Sequence, residues 1–403
     1  MTLPLIIYRS LRQHALSTVV TAGSIALACG LMLCVWMVKT QSQTAFTQTT
    51  TGFDAVLGAR GSKLQLVLNA IFHLEASPGN LAWADYEMVK RHPAVKAAIP
   101  LAVGDNLRGY RIAGTLPELF EKVEYAPGKK FAVAAGGKFF GAAPDAREAV
   151  IGAFAAQKLG LKVGDIFKPF HGLAFDEKNQ HEEVFTIVGV LLPTNTPIDR
   201  VVWIPLKGVQ TMSGHDAKAA TDISAVLIQL RTPSAGFMLD MMYNKQGNRL
   251  TLAYPVGAII AELFGKIAWF DQVLTLVAYL VALVAAGSVL ASIYNSMSAR
   301  RRDLAILRAL GARRRTIFGA VVAEAACIGA LGAAAGLAVY YGLFAGVAGV
   351  IRAQTGVVLD LGARHPVLWI CPLGMVALCA IGGVVPAIKA YRTPVAETLA
   401  PTS

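Results

Sequence analysis

The chain has 403 residues, of which 55% are hydrophobic and only 15% charged, with a formal net charge of +12. That length allows two or three soluble domains, but the apolar residues are too numerous and too unevenly distributed for a wholly soluble chain. The positive charge would suit a polyanion only on an open basic face, and its actual placement, given below, argues against nucleic acid as a partner.

Ala15 to Val38 runs without a charged residue and is long enough to cross roughly 30 Å of hydrocarbon as a helix. Arg9 and Arg12 precede it as they would a secretory signal. Its apolar part is too long for an h-region, however, and VKTQSQTAF beyond it is a poor cleavage site. Further runs are Val273 to Ile293, about Ile317 to Tyr341 interrupted only by Glu324, and Pro366 to Ile388. The pattern predicts an α-helical membrane protein with four transmembrane helices and a large mixed α/β extracytoplasmic domain inserted between helices one and two. The expected segments are 1–38 with the first span, 39–265 as the outer domain, and 266–293 as the second span. A cytoplasmic loop at 294–316 precedes the third span at 317–341. A short outer loop at 342–365, the fourth span at 366–388 and a cytoplasmic tail at 389–403 complete the chain.

Arginines set the orientation. The 294–316 loop carries Arg300, Arg301, Arg302, Arg308, Arg313, Arg314 and Arg315 against Asp303 alone, whereas 342–365 holds only Arg352, Arg364 and Asp360. The positive-inside rule puts that loop and both termini in the cytoplasm. The basic cluster is therefore first a topology signal.

Within the outer domain, VKAAIPLAV, YRIAG, GDIF, VFTIVGVLL, VVWIPL and AVLIQL read as strands. LPELFEKV reads as a short helix, AVIGAFAAQKLG as a strand running into a helix, and SAGFMLDMMYNK as a helix. Two strand–helix–strand units point to a ferredoxin-like piece with a second insert. Residues 53–80 read either as a helix packed in the outer domain or as an amphipathic helix near the outer leaflet, using Lys63, Leu66 and Leu68. The latter would suit a hydrophobic or lipid-linked substrate. All five cysteines, Cys29, Cys34, Cys327, Cys371 and Cys379, fall within spans, so the outer domain must be held by its own core.

Catalytic, cofactor-binding and metal motifs are not found. There is no GxxxxGK[ST], HExxH, CxxC pair or GxSxG. His73, His92, His171, His181 and His215 lack metal-ligand spacing, and the His-Glu-Glu at 181 reads as solvated surface. Asp176, Glu177, Glu182 and Glu183 read as a solvated polar segment. Two features stand out against this. Glu324 lies about 12 Å into the third span at 1.5 Å per residue, where a carboxylate needs a partner, hydration or neutralisation; a neighbouring helix or Arg315 would supply one, and proton coupling or transmission of motion is the functional alternative. Gly329, Gly332 and Gly336 on the same helix permit close helix contact, within the subunit and in a dimer.

Residues 299–310 favour helix, with Gly311 placed to end it. Leu304, Leu307 and Leu310 recur at three-residue spacing, which gives an amphipathic helix at the inner membrane face. It would anchor in headgroups, or sit in a groove of a soluble partner and pass force into spans two and three.

The stretch from Arg302 through Asp303, Leu304, Leu307, Arg308, Leu310 and Gly311 to Ala312 resembles the signature of the MacB/FtsX/LolC permease superfamily, the type VII ABC transporters. Asp303 stands where that family usually has glutamate and Ala305 where it usually has glycine. The resemblance continues through Glu324, the glycine-rich third span and the final GGVVPAIKAYRTP. It also includes AVIGAFAAQKLGLKVGDIF and PTNTPIDRVVWIPL outside the membrane. It implies a bacterial inner-membrane permease without enzymatic activity of its own, forming a homodimer or a heterodimer with a similar permease. A separate P-loop ATPase would bind the ATP and grip residues 299–310 as a coupling helix. Motion would pass to the outer domain to export or extract a substrate, in some members with a periplasmic adaptor or an outer-membrane duct. The alternative is a mechanotransmission or scaffold protein that regulates a periplasmic enzyme without translocation.

Overall fold

The computed structural model describes residues 3–48, 51–141, 143, 146–213, 221–299 and 311–392. Its elements begin with helices α1 (Leu3–Gln13) and α2 (Ala15–Gln48), then β1 (Ala55–Ala59), α3 (Lys63–Ala70), α4 (Trp83–Lys90), β2 (Val95–Leu107) and β3 (Tyr110–Thr115). Next come α5 (Glu118–Lys122), β4 (Glu124–Ala126), β5 (Lys129–Lys130), β6 (Glu148–Ile151), α6 (Ala153–Leu159), β7 (Ile166–Phe167), β8 (Phe170–His171) and β9 (Phe185–Val190). The outer part closes with β10 (Val202–Pro205), α7 (Leu206–Gln210), β11 (Ala225–Leu230), α8 (Pro233–Asp240), β12 (Leu250–Ala253) and α9 (Val256–Lys266). Three long helices follow: α10 (Ala268–Ala299), α11 (Arg314–Thr355) and α12 (Val367–Arg392).

These elements form two units. One comprises Ser42–Ile267 with Val350–Leu359, and the other Met1–Gln41, Ala268–Gly349 and Asp360–Ser403.

The first unit is built on a mixed sheet in the order β12-β1-β11-β2-β3-β10-β6-β9-β7, with β8 also paired to β2. Strands β12, β1, β11 and β2 are mutually antiparallel neighbours. With α4 following β1 and α8 following β11, they make a ferredoxin-like piece whose second unit, β11 and α8, is the one read from the sequence. Its first unit, β1 and α4, is not, and the strand–helix unit read at AVIGAFAAQKLG lies in the insert, which is everything between β2 and β11. The long β2 joins the two parts: Val95–Leu101 pair with β11, and Ala102–Leu107 turn back on β3 as a hairpin. In the insert, β10 is parallel to β3 and antiparallel to β6, and β6 is parallel to β9.

Both faces of this sheet are covered, so its inner strands are apolar runs rather than alternating ones. Along β11, Val226 and Ile228 enter one core with Tyr86, Val89, Phe185 and Leu239, while Ala225 and Leu227 enter the other with Phe53, Leu66, Phe120 and Trp203. Residues 53–80 supply an edge-region strand, β1, and a helix, α3, that buries Leu66 and Val67 in the second core. The packed reading of that segment is the observed one. Ser62 caps α3, its hydroxyl accepting from the Gln65 amide. The strand escaped the sequence reading because FDAVLGA is short and continuously apolar, a pattern that periodicity does not separate from helix.

In the second unit, Ala15–Thr47, Arg314–Thr355 and Val367–Ile388 are long and apolar enough to cross a membrane. A shorter apolar stretch, Gln272–Ser288, lies in α10. Their outward faces carry Leu16, Val19, Leu27, Leu283, Trp369, Leu373 and Ile381 in exposed positions, far more contiguous apolar surface than water tolerates. The third helix does not stop near Tyr341 as the sequence reading has it. GLFAGVAGVIRAQT has no proline and keeps the helix to Thr355; Gly356, at φ +75°, then reverses the backbone. The expected outer loop is thus partly helix. Ile351 and Val357 join the second core of the sheet unit, and the Arg352 guanidinium lies 5.5 Å from the Phe154 ring centroid.

Candidate functional site

The helical unit is assembled along glycines. A Cβ built on Gly332 would lie 2.6 Å from Ile25 Cβ and 2.9 Å from the Ala22 carbonyl oxygen. On Gly336 it would meet Cys29 Cβ at 2.8 Å, and on Gly30 of the facing helix it would meet Val339 Cγ1 at 2.7 Å. Helices α2 and α11 therefore touch nearly backbone to backbone, through a four-residue small-side-chain repeat. Gly329 opens a second face of α11, where a Cβ would come 2.8 Å from Cys379 Cβ on α12. Gly383 of α12 returns the contact, with Ala325 Cβ at 2.6 Å. These glycines are thus already engaged inside the subunit.

One turn and more before this seam stands Glu324, half-buried, with the Ser10 hydroxyl of α1 donating to its Oε1. The partner expected on a neighbouring helix is there, on α1; sequence reasoning does not name Ser10 because residues 1–14 read as a plain cytoplasmic lead. The available signal was the apolar pattern of LPLIIYRSLRQ, which the structure folds as an amphipathic helix. Gly30 was missed as well, as a lone glycine in an apolar run carries no spacing to read.

Arg302, Asp303, Leu304, Leu307, Arg308 and Leu310 lie outside the described residues. Gly311 is described, with φ +96° and open space around its α-carbon. It has the left-handed backbone that ends a helix, and α11 begins at Arg314.

The polar residues of the sheet unit sort themselves by burial. Asp176 and Glu177 are exposed, and Asp176 caps a short 3-10 turn through the Lys178 amide. His92 Nδ1 accepts from the Ala94 amide; His215 lies outside the described residues. His73 is buried at φ +55°, edge-on to Trp203 with 5.5 Å between ring centroids. Burial first, then the Arg111 and Arg200 cations, push its imidazole from its ordinary 6.5 down to about 3. The group binds a proton more readily when unfolded. Its stabilising contribution is therefore complete above pH 6.5 and is lost as pH falls from there toward 3, at up to ~1.4 kcal/mol per pH unit. His73→Asn, which tolerates the positive φ, is expected to flatten this acid limb; thermal unfolding of the detergent-purified chain at pH 7 and pH 5 checks it.

His181 departs from its reading as solvated surface: it is buried, and its ring contacts Asp105 and Ser213. The cause is the pairing of β8 with β2, which folds the polar segment 168–184 back onto the sheet.

Two hollows open on this unit. One of about 370 Å³ is lined by Trp83, Leu116, Pro117, Leu206 and Gln210, and one of about 300 Å³ by Leu107, Leu161, Phe167, Phe170 and Val184. Phe237, Met238 and Met241 on and after α8 form an exposed apolar patch.

Comparison with known proteins matches two parts of the chain. Residues 18–235 match the MacB-like periplasmic core domain, and residues 275–395 match the FtsX-like permease C-terminal domain. Among solved structures, the extracellular domain of the noncanonic ABC-type transporter YknZ from Gram-positive bacteria is similar at 17% identity, with a TM-score of 0.30 over 49% of this chain and 97% of that one. The periplasmic region of MacB from Actinobacillus actinomycetemcomitans is similar at 10% identity, with a TM-score of 0.35 over 55% of this chain and 96% of that one. No curated protein matches the chain. With one of these domain families covering more than half of its length and the other its helical end, the chain belongs to the MacB/FtsX-type ABC transporter permeases, the membrane component of such transporters and not itself an enzyme.

Proposed function

We propose that this chain is the permease subunit of an ATP-driven transporter in a bacterial inner membrane, and that it passes the motion of a separate ATPase to its outer domain. In this reading it has four spans, counting α10, and both termini lie in the cytoplasm. Residues 299–310 form the coupling helix, and two permeases pair as a homodimer or a heterodimer.

One observation carries the proposal. Helix α11 is a single helix of 42 residues, about 63 Å long at 1.5 Å per residue and about twice the hydrocarbon thickness. It starts three residues after the left-handed Gly311, and its final turn packs in the sheet unit through Ile351 and Arg352. A continuous helix that begins three residues after Gly311 and whose last turn belongs to the sheet unit suits the transmission of motion. Its polar content supports this too: Glu324, already engaged by Ser10, is its one acidic residue. Rows of polar groups, as would line a wide water-filled path, are not part of it. The work is then done at the outer face, where the apolar hollow by Trp83 and the Phe237–Met241 patch offer contact to a hydrophobic substrate or an adaptor.

Affinity purification of the tagged chain in mild detergent, with mass spectrometry of everything retained, tests this. A stoichiometric P-loop ATPase is expected, and a periplasmic adaptor or outer-membrane duct beside it would select efflux. A retained cell-wall hydrolase would favour regulation of an outer enzyme over translocation. Absence of any ATPase under several solubilisation conditions would overturn the proposal.

A further inference from the structure

Three side chains far apart in sequence converge at the edge of the insert. Asp105 on β2 is fully buried, and its Oδ1 lies 3.1 Å from His181 Nε2 and 3.4 Å from His171 Nδ1. All three atoms lie within 4.8 Å of one another. The sheet itself makes this arrangement, since Asp105 and His171 are direct partners in the β2–β8 register. Asn106, the next residue along, fastens the rest of the excursion: its Nδ2 donates toward the carbonyls of Phe170, Gly172 and Ala174. The Gly172 amide bonds the Gly104 carbonyl, and the His181 amide bonds that of Pro169.

The contacts of His181 orient its ring in this convergence. Its Nδ1 lies 2.8 Å from the Ser213 carbonyl oxygen, which only accepts, so Nδ1 carries the proton. Ser213 is itself held, through its amide and hydroxyl, by the Glu183 carboxylate. Nε2 is then the nitrogen that faces Asp105 Oδ1, at 3.1 Å, a contact that a proton or a metal ion shared between ring and carboxylate completes. A ring whose far nitrogen is tied to a carbonyl, presenting the near nitrogen to a carboxylate and a second imidazole, is how proteins hold transition-metal ions. The spacing agrees: atoms bound at about 2.0–2.1 Å to a tetrahedral ion are roughly 3.3 Å apart, between the two separations observed.

We propose that Asp105, His171 and His181 form a binding site for a divalent transition-metal ion in the outer domain. Two imidazoles and one carboxylate select zinc, nickel, copper or iron over calcium and magnesium. His171 is about half exposed, at 54%, which gives the ion an entry path and leaves room for water at a further position. When bound, the ion pins residues 168–184 and the turn at Ser213 to β2, so its occupancy fixes one edge of the outer domain.

The test uses the full chain in detergent, without a polyhistidine tag, stripped with chelator and titrated with cobalt(II) and then zinc(II). One cobalt per chain is expected, with the visible absorption of a low-coordinate nitrogen–oxygen site, displaced by zinc and followed by metal analysis. Two variants probe it: His171→Ala, chosen for its exposure, and Asp105→Asn, which keeps the volume and a hydrogen-bonding side chain. Each should weaken metal binding by about tenfold or more while the metal-free protein unfolds at nearly the same temperature in the His171→Ala case. Failure of the wild-type chain to bind one equivalent, or binding unchanged in both variants, would overturn the proposal. So would a cobalt spectrum with thiolate charge transfer, which would assign the ion to the cysteines of the helical unit.

Discussion

Gly332→Leu is expected to lower the thermal unfolding midpoint of the detergent-purified chain markedly and to reduce its abundance in membranes, whereas Gly342→Leu on the same helix should do neither. The two positions differ in surroundings. A Cβ at Gly332 meets Ile25 Cβ at 2.6 Å and a backbone oxygen of Ala22 at 2.9 Å, while at Gly342 it meets nothing within 4 Å. The Ala22 carbonyl cannot rotate away, so α2 and α11 must separate, and the contacts of Gly336 and Gly30 along the same seam are lost with them. Overpacking of this kind costs about 1–3 kcal/mol, at times more. At Gly342, replacing glycine in a helix interior gains up to about 1 kcal/mol of helix propensity instead. Gly332→Ala should fall between, since a methyl already breaches the limit but only by a few tenths of an ångström. Equal behaviour of the two leucine variants would remove the glycine seam as the basis of helix packing.

The three helices long and apolar enough to cross a membrane were legible because lipid demands long uncharged runs, and composition alone records that. Strands of the insert and the β11–α8 unit were legible because VFTIVGVLL, VVWIPL and AVLIQL are bounded by clear turn signals. Three things were not. The strand at Ala55–Ala59 is too short and too uniformly apolar to separate from helix. The extension of α11 to Thr355 was hidden by the expectation that a span ends at the bilayer surface. The convergence of Asp105, His171 and His181 depends on a two-residue strand, β8, folding back on β2. Metal-ligand spacing rules detect ligands brought together by one helix or one loop, and cross-strand pairing leaves no such interval to count. At Gly332 and Gly336, the sequence had no means to name Ile25, Ala22 and Cys29 as their neighbours.

Leu307→Asp is expected to abolish ATP-dependent function while the chain still inserts and reaches normal levels, and to remove the ATPase from the affinity-purified complex. Leu304, Leu307 and Leu310 recur at three-residue spacing and are followed by Gly311, whose backbone is left-handed, a conformation common just past a helix end. In the proposed mechanism these leucines fill an apolar groove on the ATPase, and Leu307 is the central one. A carboxylate there must be desolvated without a partner, at a cost of roughly 2–7 kcal/mol even for a neutral polar group. Each 1.4 kcal/mol is about tenfold in affinity, so the complex should weaken by at least about 30-fold. Charge alone should matter less. Arg313→Gln with Arg314→Gln removes two cations beyond the helix and leaves its apolar face intact, so coupling should persist while any headgroup contribution falls. If that double variant lost function and Leu307→Asp kept it, residues 299–310 would be a membrane anchor, and force would have to enter the helices elsewhere. The predicted order of effects follows from one physical distinction: a groove reads apolar shape, and a lipid surface reads charge.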